Sequence, residues 1–388
     1  MKKKKKEICP ELACRLNKVG GQAVLEGVMM KAGERTVTTC RKENGELVVV
    51  DEKFVSVRQN NKYLNLPLVR GVVNFIEMMK LSFRTLTVSA EAMELDDEKD
   101  KQKKAEGKKT TTDFVMIIGM VLGVLLALAL FIFLPKYTAV GIEYLLGLGN
   151  IAVHPTVSAL IEGVAKIVIF ITYLSLTALM PDIKRTFMYH GAEHKSIACF
   201  EAGGPLTPEN AKNYTRFHPR CGTSFMFFMI LLGIIVGIIL NNLLPESFPT
   251  WGTTLIRLAL LPLVVGVGYE FIMFAGKHDN FFTRALSAPG LWVQRITTKE
   301  PTEDMLEVAI TSIKCALRDE FDEFREFYES RGWIKEDQKP NETEENGECR
   351  EAEGGEAYEG ECREAVNADG EAKEFATDTE STEDGEAK

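Results

Sequence analysis

The sequence predicts an α-helical polytopic membrane protein of about four transmembrane helices, with a small N-terminal β-rich region on the cytoplasmic side. Three observations predict it. Stretches 114–134 and 223–244 hold no charged residue and are long enough, at 1.5 Å per residue, to cross about 30 Å of hydrocarbon. Stretches 157–180 and 254–275 are also apolar, apart from Glu162 and Lys166 in the first and Arg257 and Glu270 in the second. The joining segments differ in basic charge, which is what sets membrane orientation.

Residues 1–62 read as a cytoplasmic β-rich region. Lys2 to Lys6 are basic, but no apolar run follows before Glu11 and Arg15, so no signal peptide is expected. Apolar runs at 37–40 and 47–50 flank Asn44-Gly45, which predicts a hairpin. Gly20, Gly21 and Gly27 suggest close backbone approach, with Gln22 and Glu26 placed to reach a neighbouring polar site; turn chemistry accounts for the same glycines. Residues 63–113 read as an amphipathic helix and a charged linker. The helix starts at Pro67 and carries Leu68, Val72, Phe75, Met79, Phe83 and Leu86 at helical spacing. Arg70, Glu77, Lys80 and Arg84 on the other side make it too charged to span a bilayer, but suit it to the surface or to packing on the bundle.

Residues 114–275 form the expected four-helix membrane domain. The segment 96–113 carries six lysines and 181–222 carries six Lys or Arg, whereas 135–156 has only Lys136 and 245–252 has none. That asymmetry places both termini and the 181–222 loop in the cytoplasm of a multi-pass protein of the cell membrane. Glu162 and Lys166, four residues apart, read as an internal pair near the outer interface, where Arg257 is expected to snorkel. Residues 276–334 read as cytoplasmic amphipathic helices; Thr302 caps one bearing Leu306, Ala309, Ile310, Ile313 and Leu317, which docks on the N-terminal region or another subunit. Residues 335–388 are Glu-, Gly- and Ala-rich and carry the acidic excess behind the net charge of −10, reading as a disordered acidic tail. The eight cysteines read as thiols or ligands rather than a disulfide framework.

The sharpest chemical signal is His190-Gly191-Ala192-Glu193-His194, an H-x-x-E-H string. On a helix, residues four apart share a face, so His190 and His194 can offer two imidazoles to one ion, with Glu193 beside them. Eleven residues is close to three turns, which brings Glu201 to the same face as a ligand or second-shell partner. After the Gly203-Gly204-Pro205 turn, the chain returns at His218-Pro219-Arg220-Cys221. His218 and Cys221 could complete a tetrahedral N/S site, or one could ligate and leave a position open for water. Histidines beside a membrane also cap helices or bind headgroups, but three of the chain's five histidines and a cysteine fall in this loop, which favours a metal, Zn²⁺. Glu270, toward the cytoplasmic end of the last span, could add a second-shell acid.

The motifs Gly-Gly-Gln-Ala-Val-Leu-Glu-Gly-Val-Met-Met, Leu-Pro-Leu-Val-Arg-Gly, His-Gly-Ala-Glu-His-Lys, His-Pro-Arg-Cys-Gly-Thr-Ser-Phe and Ala-Pro-Gly-Leu-Trp-Val-Gln together resemble the YqhQ-like family of bacterial membrane proteins, from about residue 16 to 317. That resemblance implies a predicted metal-dependent enzyme and carries over His190, Glu193, His194, His218 and Cys221, with Gln22 and Glu26 as companions. It supplies no substrate. Two functional classes are open. One is a metal-dependent hydrolase or peptidase, in which Glu193 activates water. The other is a non-catalytic oligomeric scaffold or pore, in which the His cluster staples the loop. A basic cytoplasmic face suits anionic lipid or, during membrane-protein synthesis, the ribosome or insertion machinery; no sequence-specific nucleic-acid binding is expected.

Overall fold

Near the N-terminus, four strands form an antiparallel meander: β1 (Val19–Val24), β2 (Gly27–Ala32), β3 (Arg35–Arg41) and β4 (Leu47–Lys53), each paired with the next. The expected hairpin is the β3–β4 connection. Gly45 takes a left-handed φ of 87°, and Asn44 Oδ1 accepts from the Glu46 N–H at 3.0 Å, so Arg41 faces Leu47. The computed structural model describes residues 15–93, 111–145, 154–245, 248–277 and 281–333. The lysine-rich start, most of the charged linker and the acidic tail lie outside the described residues.

Alternation along the strands gives the sheet two apolar faces. Val28, Met30 and Val37 meet helix α11 (Glu303–Ala316), whose Leu306, Ala309, Ile310 and Ile313 are buried with them. Ser312 in that layer donates to a backbone carbonyl, Val28 O at 2.9 Å or Val37 O at 3.0 Å, so its hydroxyl is satisfied inside the core. The expected docking of this helix on the N-terminal region is therefore what the structure shows. On the other face, Val24, Met29 and Cys40 pack against Leu81 of α1 (Val69–Ala92).

Helix α1 packs on other helices, one of the two settings expected for it. Phe75 and Met79 of the apolar stripe are exposed, and the buried side holds Gly71, Glu77, Leu81, Thr85 and Ser89. Close packing selects that side: a Cβ on Gly71 would lie 2.7 Å from Tyr269 Cβ, and one on Gly266 2.7 Å from Leu68 O. Glu77 is satisfied by the Ser56 hydroxyl at 2.8 Å and the Val57 N–H at 2.7 Å.

Beyond α1 the chain is mostly helical. Among the described residues, three helices are long and apolar enough to cross a membrane, or four if a bent pair is one span. The first begins as α2 (Thr111–Leu128), widens through a π turn at Ala129–Phe133 and continues as α3 (Leu134–Leu145). Its apolar window is Val121–Leu145, so residues 135–145, expected in a loop, are helical. The wide turn just ahead of Pro135 accommodates a residue with no N–H to give to the helix. The next two are α4 (Pro155–Thr177) and, after α5 (Pro181–Glu201) and the short α6 (Pro208–Ala211), α7 (Gly222–Leu243). The expected fourth span is broken into α8 (Thr250–Ala259) and α9 (Leu261–Lys277), bent by 43°. Pro262 in the first turn of α9 stops the helix before it.

The Glu162–Lys166 pair is present at 2.8 Å. Arg257, expected near the outer interface, donates its guanidinium to Glu162 Oε1 at 2.6 Å and to Asn241 Oδ1 at 3.0 Å. After α9, helix α10 (Phe281–Thr297) buries Val293 with Phe170, Leu174 and Phe227, and α12 (Asp322–Ser330) closes the described chain.

Candidate metal centre

Helix α5 holds the centre because its whole second half is buried between the sheet, α11 and the 297–301 segment. Pro181 at its N-terminal turn starts it, and 21 helical residues carry it to Glu201 without a break. At Gly191 an added Cβ would meet Lys299 O at 2.0 Å, so only glycine lets the segment after α10 cross beside His190. Lys299 N in turn donates to Phe187 O at 2.8 Å.

His190 Nδ1 lies 2.9 Å from Thr297 O, and His194 Nδ1 lies 2.5 Å from Arg216 O. A carbonyl oxygen only accepts, so each Nδ1 carries a proton, and in the neutral ring Nε2 keeps a lone pair. That outer hydrogen bond is the one by which metal-binding histidines are oriented. Cys221 Sγ stands 3.3 Å from His190 Nε2, and one ligand atom from each of His190, His194 and Cys221 falls within 4.8 Å of the others. Burial pushes the Cys221 thiol up, but the His194 imidazole and Thr223 outweigh it and hold the thiol below its ordinary value. Burial, by contrast, lowers His194, which keeps its ring neutral. A thiol disposed to ionise and two imidazoles make a donor set suited to a borderline-soft divalent ion.

Glu193 is buried next to them. Burial pushes its carboxyl up to about 7, and Oε2 has no hydrogen-bond partner among the described residues. The close approach expected from the glycine-rich strand occurs here: a Cβ on Gly21 would lie 2.9 Å from Glu193 Cγ and Oε1.

The returning loop is fixed from α10. Gln294, fully buried, accepts from His218 N at 2.8 Å and donates to His218 O at 2.7 Å and Ser224 Oγ at 2.8 Å. This residue was not singled out by spacing, although it closes the Ala-Pro-Gly-Leu-Trp-Val-Gln motif. Lys195, also buried, donates to Lys212 O at 2.8 Å and pairs with Glu300 at 3.0 Å, tying the same loop to the chain after α10.

The remaining expected residues are placed apart from the three candidate donors, His190, His194 and Cys221. His218 lies with its ring centroid 5.6 Å from that of His194, but its Nε2 faces Arg220 at 3.2 Å and Glu201 at 3.8 Å. Glu201 pairs with Arg220 and accepts from Asn17 N at 3.0 Å; burial works against its charge, yet His218 and Arg220 hold it at about 2. Glu26 pairs with Arg185 and accepts from the Tyr189 hydroxyl at 3.3 Å, one residue before His190. Gln22 turns to α1, accepting from Ser82 at 2.6 Å and donating to Thr85 at 3.3 Å. Glu270 is held by Arg70 at 2.5 and 2.7 Å and by Leu68 N at 3.3 Å.

Residues 66–319 match the family model described as protein of unknown function (DUF1385). The uncharacterized protein YqhQ of Bacillus subtilis (strain 168) is 35% identical over 307 residues, which cover 77% of this chain and 92% of the relative. No solved structure matches the chain.

Proposed function

The chain belongs to the DUF1385 family of YqhQ-like proteins, and because that description carries no reaction, we propose one from the site: a membrane-embedded, zinc-dependent hydrolase or peptidase whose centre faces the cytoplasm. The carrying observation is the number of ligands. Three donors converge while His218 is turned to Glu201 and Arg220, and three protein ligands with one open position is the catalytic arrangement rather than the closed structural one.

His190, His194 and Cys221 hold the ion, and Thr297 O and Arg216 O keep both imidazoles in the ligating tautomer. When bound, Zn²⁺ supplies Lewis acidity to the reacting group. Glu193, with one unpartnered oxygen, takes the proton from the attacking water and returns it to the leaving group. Gly21 leaves the space in which that carboxylate sits. Membrane placement is supported by the three to four apolar helices, and orientation by the basic loops, which put the H-x-x-E-H helix on the cytoplasmic side.

Metal content and complementation of a deletion strain, measured on the same variants, test the reading. The wild type should carry about one zinc per chain, and the His190→Ala, His194→Ala double variant should lose it. Glu193→Gln should keep the ion and the protein level but lower function by about 10² or more. Full complementation by Glu193→Gln at normal abundance would falsify the hydrolase and leave the cluster as a staple in a scaffold.

A further inference from the structure

The glycine-rich strand β1 is laid along the helix that carries the centre. Glu26, in the turn after β1, pairs with Arg185 and accepts from the Tyr189 hydroxyl; Gly21 lies against Glu193; Asn17 N donates to Glu201 at 3.0 Å. Strand and helix therefore run side by side in opposite directions. β1 is also an edge of the sheet, and no backbone group among the described residues pairs with its outer side. Which of its own groups face that side follows from the turn. Leu25 and Glu26 form a two-residue connection, so Val24 and Gly27 are a hydrogen-bonded pair, and alternation gives the next bonds to Gln22 with Met29 and to Gly20 with Lys31. The following hairpin agrees: Ala32 and Arg35 close it, so Met30 and Val28 turn to β3 and leave Gly27, Met29 and Lys31 for β1. The N–H and C=O groups of Val19, Gly21 and Ala23 are left pointing outward.

The donors stand on that same side. Helix α11 covers β2 and β3 and is buried in one cluster with Ala192 and Cys199 of α5, while Tyr189 and Glu193 face the β1–β2 hairpin. At about 100° per residue, His190 and His194 then fall on the flank of α5 opposite α11, beyond the outer side of β1. Glu193 is buried beside Gly21, and its Oε2 has no partner among the described residues. Gly20 is exposed, and a Cβ there would meet nothing within 4 Å, which leaves room for the side chains of an added strand. Outward donors and acceptors at alternate residues are complemented by another extended main chain. We propose that an extended polypeptide segment pairs with Val19, Gly21 and Ala23 as a fifth strand, which draws its main chain past Glu193 and the three donors. This edge rests on the hydrolase reading and narrows that enzyme's substrates to polypeptides.

Amide hydrogen exchange of the full-length protein in neutral detergent, with and without a library of short peptides of randomised sequence, tests it. Glu193→Gln is measured beside wild type, so that binding is read without turnover. In the free protein, the Gly21 and Ala23 amides should exchange faster than those of Gly20, Gln22 and Val24, which hold the ladder. A saturating library should slow Gly21 and Ala23 by about fivefold or more, the worth of one hydrogen bond. Ala23→Pro removes one outward N–H and no ladder bond, a place where an edge strand accepts proline; with the melting temperature monitored, it should weaken library binding about fivefold. Slow exchange of Gly21 and Ala23 in the free protein means that the chain covers this edge itself, and overturns the site. Unchanged exchange with the library, or undiminished binding by a folded Ala23→Pro protein, overturns it as well. Cleavage of the library by zinc-loaded wild type with no protection of the edge keeps the hydrolase and overturns the edge. Protection of the edge with no cleavage supports the edge and overturns the hydrolase alone.

Discussion

The sheet with α5 and α11, and the helices α2 to α4 and α7, use the same apolar residues in opposite ways. Leu306 and Ile313 of α11 are fully buried, whereas Leu122 and Leu125 of α2 are 60% and 56% exposed and Val164 of α4 is 61% exposed. In the first region, apolar side chains are removed from water by one another, and that removal stabilises the fold. In the second, they are turned outward, an arrangement that the proposed membrane setting would satisfy. Hydrophobicity alone therefore does not tell a core helix from one that leaves its apolar side chains exposed; uninterrupted length without charge does.

Truncation should separate the two regions most. Leu306→Ala should destabilise the sheet module by about 2–5 kcal/mol, because it empties a fully enclosed position. Leu125→Ala should change stability by less than about 0.5 kcal/mol. Thermal unfolding in one detergent, followed by protease sensitivity near the sheet, measures both. Equal effects would mean that α2 is packed as a core helix.

Glycines sharpen the contrast at a smaller scale. Gly191 and Gly123 are both helical, yet a Cβ at Gly191 meets a backbone oxygen at 2.0 Å and one at Gly123 meets nothing within 4 Å. Gly191→Ala should cost about 1–3 kcal/mol and, by pushing the 297–301 segment off His190, weaken metal retention. Gly123→Ala should be neutral or stabilising by up to about 1 kcal/mol, since alanine is the better helix former. Melting temperatures of the two variants and the zinc content of Gly191→Ala check this.

What was legible in the sequence was local. H-x-x-E-H at helical spacing, the Asn44-Gly45 turn and the long uncharged stretches each state their geometry within a few residues. What was not legible depended on distant contacts. The ring direction of His218 is set by the grip of Gln294, 76 positions away, on the loop backbone, together with the Arg220 and Glu201 pair. Glu270 was expected toward the centre, but α1 packs on α9 and brings Arg70 to it across 200 positions. Periodicity marked the apolar stripe of α1, yet the side chosen for burial is the one where Gly71 lets Tyr269 approach. The break at Pro262 and the π turn before Pro135 show the same limit: proline announces a perturbation without saying whether the helix bends, widens or ends.

The pairing that turns His218 aside gives the smallest effect and the most specific one. Glu201 is held at about 2, well below the ordinary carboxylate range of about 4.3. A carboxylate whose folded pKa is depressed contributes stability that is fully present above the unfolded value and is lost as pH falls through the folded one. The window is therefore pH 5 down to about 2, and the loss should be about 1–2 kcal/mol after allowing for solvent beside the partly exposed Arg220. Glu201→Gln cannot ionise, so it should be less stable than wild type at pH 7 and should lose less on acidification. The two stability curves should converge toward pH 2. Denaturant unfolding of both proteins at pH 7, 5, 4 and 3 reads the difference directly. Parallel curves would mean that Glu201 is not charged against Arg220 and His218 in the folded protein, and His218 would then be available as a fourth ligand, which closes the centre.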